Sequence, residues 1–375
     1  MPVPPLDALP HRESHRDLLA ANLTFGPLRE IDGIVVSAGK ARRNLRPAIR
    51  LARDLRTLLV VMRSGAGPTE QTVLRLASEE GLQRVAVMDI AERLQHPLLQ
   101  FRTSTAPHAV AGRLGPLSIK RNLGLVFGRM LGWRTMMLLD DDIHRLTEAA
   151  VLRAARPLDD LVAVGLAVEH FADHSVVCHA NRLSGRPQQV FVSGSALVLD
   201  PARCTGFFPK IYNEDWLFLA PALRENLVGL VGTVRQRPYP PFADPGRARV
   251  EEFGEVVGEG VVDSVRRGRL SDELRWPTFW ADFLRRRESF IRRAEYSVAD
   301  LSLDNRHRDA ALASLTVAHE ALAKITANQC ADYYRSWCLD LATWQSRLAD
   351  LPRAPSLDAA WDALGLSGTL ADLVA

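Results

Sequence analysis

The sequence has no cysteine pair at C-x-x-C spacing. Its four cysteines, Cys178, Cys204, Cys330 and Cys338, match neither a zinc-ligand pattern nor a redox motif. A disulfide-stapled secreted scaffold is therefore not indicated, and a reduced, cytoplasmic setting is expected. No stretch approaches the ~20 apolar residues that a transmembrane helix needs. The first ten residues carry Pro2, Pro4, Pro5 and Pro10 and then run into polar residues, which is not the pattern of a secretory signal. Charge of one sign is lacking too: a net +3 over 375 residues argues against a dedicated nucleic-acid binder. Internal repeats are absent, which excludes a solenoid. What is left, at 47% hydrophobic and 24% charged, is a globular chain long enough for one large domain or two.

The most informative stretch is Trp133 to Ile143, where an apolar run ends in Asp140-Asp141-Asp142. Thr135 to Leu139 reads as a strand buried on both faces, as in a parallel sheet, where ligands sit outside the carboxyl ends of the strands. Three adjacent carboxylates repel one another and call for a cation, most simply a hard divalent metal with oxygen ligands. In extended chain Asp140 and Asp142 share one face and Asp141 takes the other. A solvated acidic turn is the other reading of such a triplet.

Upstream, an arm to about residue 30 precedes strands at Gly33 to Ser37, Leu58 to Met62 and Val85 to Met88, separated by stretches with helical spacing. Strand, helix, strand, helix, strand is the order of a parallel α/β sheet. Lys40, Arg63, Ser64 and Asp89 follow the strand ends, where a nucleotide base and ribose can be read. Ser118 to Leu131 is expected to be helical, and Lys120 and Arg121 at its start suit a diphosphate, because helix N-termini already favour anions.

The succession Ser37-Ala38-Gly39, Arg121-Asn122-x-Gly124 and Leu138-Leu139-Asp140-Asp141-Asp142-Ile143 resembles the GT-A nucleotide-sugar glycosyltransferases, in particular their family-2-like branch. The resemblance spans about residues 31 to 232. It implies a GT-A domain with a mainly parallel central sheet over 31–240, after an arm at 1–30 and before a helical C-terminal extension at 241–375. It also implies a nucleoside-diphosphate sugar as donor, with Mn2+ or Mg2+ against its diphosphate. Asp142 and Asp140 are the metal candidates. Ser37, Lys40, Arg63, Asp89, Lys120, Arg121, Asn122, Asp140, Asp141 and Gly194 are the donor-site candidates. Arg63 stands where the family often has an aspartate. By the same resemblance, Asp215 of Tyr212-Asn213-Glu214-Asp215-Trp216 takes the place of the general base, giving inversion, and Glu214 orients the acceptor or serves as the alternative base. Read from the residues alone, Asn213 is a good N-cap and the two acids suit a first helical turn.

Leu161 to Val168, Val176 to Ala180 and Val190 to Leu199 read as further strands, the last broken at Ser193-Gly194-Ser195. His170, His174 and His179 are expected to be solvent-exposed or on the acceptor side rather than a zinc cluster. After the loop at 237–247, helices are expected at Val250 to Arg267 and from Trp276 onward. The arginines at 285–287, 292 and 293 leave two readings, packing on the core or peripheral contact with a membrane or lipid-linked acceptor. Helices at 306–328 and 331–348 follow. Two other functions stay open: a nucleotidyltransferase of related fold, although Ser37 to Arg42 lacks a glycine-rich triphosphate loop, and a non-catalytic nucleotide-sugar binding protein. A D-x-D-x-T phosphatase is disfavoured because position 144 is histidine. The acceptor is expected to be a hydroxyl on a small molecule, glycan or lipid-linked compound.

Overall fold

The computed structural model describes residues 14–39, 45–92, 94–105, 115–169, 175–187, 189–268, 272–301 and 305–373. The first half is β1 (Gly33–Ala38), α1 (Arg46–Asp54), β2 (Leu58–Arg63), α2 (Glu70–Glu79), β3 (Arg84–Asp89), the short α3 (Arg102–Thr105), α4 (Leu117–Met130) and β4 (Met136–Asp140). Next come β5 (Ile143–His144), α5 (Glu148–Ala155), β6 (Ala163–Glu169), α6 (Val176–Leu183), β7 (Ala196–Leu199), α7 (Glu214–Arg224) and β8 (Val228–Gln236). Five helices follow, α8 (Arg247–Arg266), α9 (Pro277–Ala299), α10 (Asn305–Leu322), α11 (Ala327–Ala349) and α12 (Leu357–Leu364), before β9 (Thr369–Asp372).

The strands form one sheet in the order β5-β8-β6-β7-β4-β1-β2-β3-β9. β4, β1, β2 and β3 run parallel, β7 is antiparallel to both β4 and β6, and β5 and β9 pair antiparallel at the two edges. Strand alternation divides the core in two. Ile34, Val36, Val61, Met137 and Leu139 pack with α1, α2 and α5 on one face. Val35, Val60, Met136 and Leu138 pack on the other, with α4, α7 and the helices from α8 onward.

Local chemistry sets the element ends. Thr69, Thr147 and Ser175 each accept a backbone N–H of the first turn of α2, α5 and α6. The Ser175 cap explains one correction: Val176 to Ala180, expected as a strand, begins helix α6. Its residues 176–180 are all buried, so neither period shows in the sequence. The expected strand over 190–199 shrinks to Ala196–Leu199, because the small residues before it form a turn. Asn213 stands at the N-cap position of α7 but does not cap it: its backbone is left-handed, at φ 61° and ψ 34°, and its side chain makes no capping bond. The chain also ends unexpectedly, with β9 returning to pair with β3, Thr369 opposite Val87.

In α9, Arg286 and Arg287 turn inward, while Arg285 and Arg292 pair with Asp282 and Glu288 of the same helix. That is a core-packed helix with an ion-paired solvent face. Among the described residues no helix is long and apolar enough to cross a membrane.

Candidate active site

β1 lies between β2 and β4, and the helices reaching these strands, α1 and α4, pack on opposite faces of the sheet. That is a topological switch point, where a crevice opens beyond the carboxyl ends of the strands. Ser37 stands opposite Asp140 in the β1/β4 ladder, and Gly39 N donates to Asp141 Oδ2 at 2.9 Å. Arg63 and Asp89, neighbours in the β2/β3 ladder, form an ion pair at the rim, and Arg63 Nε also donates to Pro68 O. Lys120 is buried instead of reaching outward. Its Nζ donates to Ala38 O at 3.0 Å and Ser64 Oγ at 2.7 Å, tying α4 to the ends of β1 and β2. Burial lowers its pKa to about 8, against the opposing pull of Asp141, Asp140 and Asp89. Lys40 lies outside the described residues, as do His170 and His174.

Asp140 belongs to the side of the sheet that carries α4 and α7, and there it meets Arg121. The Arg121 Nη2 donates to both Asp140 oxygens at 3.0 Å, and its Nη1 to Glu214 Oε1 at 2.5 Å. The guanidinium lies over the Phe208 ring, 5.4 Å from its centroid, and packs on Gly194, where an added Cβ would come within 2.7 Å of Arg121 Cζ. A side chain at 194 would displace the arginine, which is the physical reason for glycine in that turn. Asn122, a candidate donor contact, is engaged by the Phe208 backbone. Its Nδ2 donates to Phe208 O and its Oδ1 accepts Phe208 N, both at 2.8 Å, clamping the ring on which Arg121 rests.

Glu214 and Asp215 open α7, and Gly194 N donates to Asp215 Oδ2 at 3.0 Å. Burial, only partly offset by Arg121, raises the Glu214 pKa to about 8 and that of Asp140 to about 6. Asp215 is shifted upward for the same first reason. These groups line a cavity of about 160 Å³ whose other walls include Leu117, Phe191, Tyr212 and Trp216. Apolar walls around a few convergent polar groups with displaced pKa values are what a substrate site requires.

Four lining residues were not singled out from the sequence: Cys178 of α6, Gln236 of β8, and Glu255 and Glu259 of α8. The available signal was the spacing of Glu251, Glu252, Glu255 and Glu259 within an apolar, glycine-rich helix that buries all four. Arg287 of α9 answers three of them, bonding Glu252 at 2.7 and 3.1 Å, Glu255 at 3.0 Å and Glu259 at 3.2 Å. His179 is buried in α6 rather than solvent-exposed, with Nε2 3.2 Å from Tyr239 Oη.

The strand-end acids fit a divalent ion as a partial donor set. Asp142 is buried beside Gln236, whose Nε2 donates to Asp142 Oδ2 at 3.3 Å. Two residues on, His144 Nδ1 is buried with no hydrogen-bond partner among the described residues. Asp140 is already held by Arg121, and no three ligand atoms of the triplet converge, so the ion would rely on substrate oxygens for its remaining ligands. Among the described residues the group that does converge is Cys178, Glu255 and Glu259, with Arg287 beside the two carboxylates.

No protein-family model and no curated protein matches the sequence. Among solved structures, the mannosyltransferase PcManGT from Pyrobaculum calidifontis, in complex with GDP-Man and Mn2+, is similar over 90% of each chain, with a TM-score of 0.42 and 14% identity. A likeness of that size leaves the assignment to the geometry of the site itself.

Proposed function

We propose that the protein is a metal-assisted glycosyltransferase of the GT-A type, moving a sugar from a nucleoside diphosphate to a hydroxyl acceptor. One observation carries this reading: the carboxylate at the end of β4 and Glu214 at the start of α7 meet at one buried arginine, on a cavity that Asp215 also lines. The switch-point crevice beside Ser37, Arg63 and Asp89 takes the nucleoside, and the cavity takes the sugar and acceptor. Asp142 would hold a divalent ion, with Asp140 oriented nearby by Arg121. When bound, such an ion supplies charge stabilisation to the departing nucleoside diphosphate.

Asp215 acts as general base, taking the acceptor proton as the hydroxyl oxygen attacks the anomeric carbon and the diphosphate leaves, with inversion. The Gly194 N–H fixes Asp215 by its Oδ2. Glu214, paired with Arg121 and with its pKa raised by burial, orients the acceptor. Lys120 and Asn122 hold the framework rather than touching the donor. The test is release of nucleoside diphosphate from a panel of nucleotide sugars, GDP-mannose among them, with Mn2+ or Mg2+. Metal-dependent release supports the reading. Donor binding without release under any condition makes the protein a sensor instead.

A further inference from the structure

The loop that delivers the acid pair is pressed against α8. Gly254 and Gly258, four residues apart on that helix, lack side chains where the loop crosses. A Cβ on Gly254 would lie 2.2 Å from Tyr212 O, and one on Gly258 would lie 3.1 Å from Asn213 Cβ. At the crossing Asn213 takes its left-handed backbone, a conformation uncommon outside glycine that asparagine tolerates better than most residues. Its amide Nδ2 reaches across to α8 and donates to Glu255 Oε1 at 3.1 Å, while Arg287 Nη1 holds Glu255 Oε2 at 3.0 Å. The Asn213 carbonyl accepts Trp216 N at 3.1 Å, so the setting of Asn213 passes directly into the turn that bears Glu214 and Asp215.

We propose that Asn213 is a positioning residue, whose amide bond to Glu255 fixes the direction in which Glu214 and Asp215 enter the cavity. The inference rests on the proposed glycosyl transfer and gives α8, a helix outside the resemblance, a part in it. A purely conformational role is the competing explanation, because the left-handed backbone alone would favour asparagine at this position. Glycine separates the two, since it adopts the same backbone freely and has no amide.

The experiment measures release of nucleoside diphosphate from GDP-mannose and UDP-glucose with Mn2+, together with donor Kd and thermal unfolding. The proteins are wild type, Asn213→Gly, Glu255→Ala and the double variant. The expected result for Asn213→Gly is turnover lowered about tenfold (1.4 kcal/mol), with donor Kd and unfolding temperature unchanged. The double variant should be no slower than the slower single one, as for two ends of one interaction. Wild-type turnover by Asn213→Gly overturns the inference and leaves the proposed function standing. Additive losses in the double variant overturn it as well. No release by wild type with either donor removes the premise, and the inference falls with it. Should Glu255→Ala fail to fold, the Asn213→Gly result decides alone.

Discussion

At the strand-end rim, Asp141 accepts the Gly39 N–H, Asp89 pairs with the Arg63 guanidinium and Asp142 accepts the Gln236 amide. Around the cavity carboxylates outnumber cations, with Asp140 and Glu214 sharing Arg121 and three glutamates of α8 sharing Arg287. The first arrangement, in which two of the three acids hold neutral donors, suits carboxylates that exchange those donors for an incoming ion or ligand. The second stores negative charge in a low-dielectric place and retains protons there, as a group that must later accept one requires. Binding and proton transfer are thus assigned to two differently built regions, and the assignment can be broken at several points.

The largest effect should come from Arg287→Ala, which strands three buried carboxylates and should cost about 3–5 kcal/mol of stability. Chemical denaturation checks this, and a loss below 1 kcal/mol would mean that the cluster is already neutralised by protons. Next, Asp142→Ala should remove the gain in donor affinity that Mn2+ confers, at least about tenfold or 1.4 kcal/mol, in calorimetry of GDP or UDP binding. Equal affinity of wild type with and without metal would remove the ion from the rim.

A smaller effect concerns pH. Because its folded pKa is raised to about 8, Glu214 keeps a proton that the unfolded chain releases near 4.5, so its stabilising contribution is lost as pH rises through about 8. His15, pushed down to about 3 by burial and the nearby Arg266, works in the opposite sense, and its contribution is complete above about 6.5. The unfolding temperature should therefore fall between pH 6.5 and 8, and Glu214→Gln should flatten that slope. A rise over the same interval in wild type contradicts the assignment. The smallest effect belongs to the rim pair: Asp89→Asn should change stability by no more than about 1 kcal/mol, since Asp89 is well exposed. A larger loss would show that the rim, too, is structural.

Much of this was readable in advance because the signals are contiguous. β1 to β4 are apolar runs buried on both faces, and the acid triplet and acid pair each sit in one short stretch. The alternation expected along the acid triplet stops at its first member: Asp140 ends β4 and meets Arg121, while Asp141 and Asp142 lie in the turn that follows, where Asp141 accepts the Gly39 N–H. What stayed hidden depends on tertiary partners. The first five residues of α6 are all buried, so they carry no period to distinguish them from a buried strand. Asn213 has the composition of a cap, yet the proximity of α8 gives it another backbone and another partner. Arg121 and Asn122 carry the polarity of ligand contacts, and only packing shows that one is occupied by Asp140 and Glu214 and the other by Phe208. The acids of α8 lie far in sequence from the cavity they line, so nothing local tied them to it.

The division of labour is tested most directly by measuring turnover and donor Kd for Asp215→Asn, with Mn2+ present and thermal unfolding as control. The account predicts donor affinity close to wild type and turnover lower by at least about a hundredfold. A folded Asp215→Asn protein that releases nucleoside diphosphate at the wild-type rate would contradict it, leaving Glu214 and Asp215 as no more than the acidic first turn of α7.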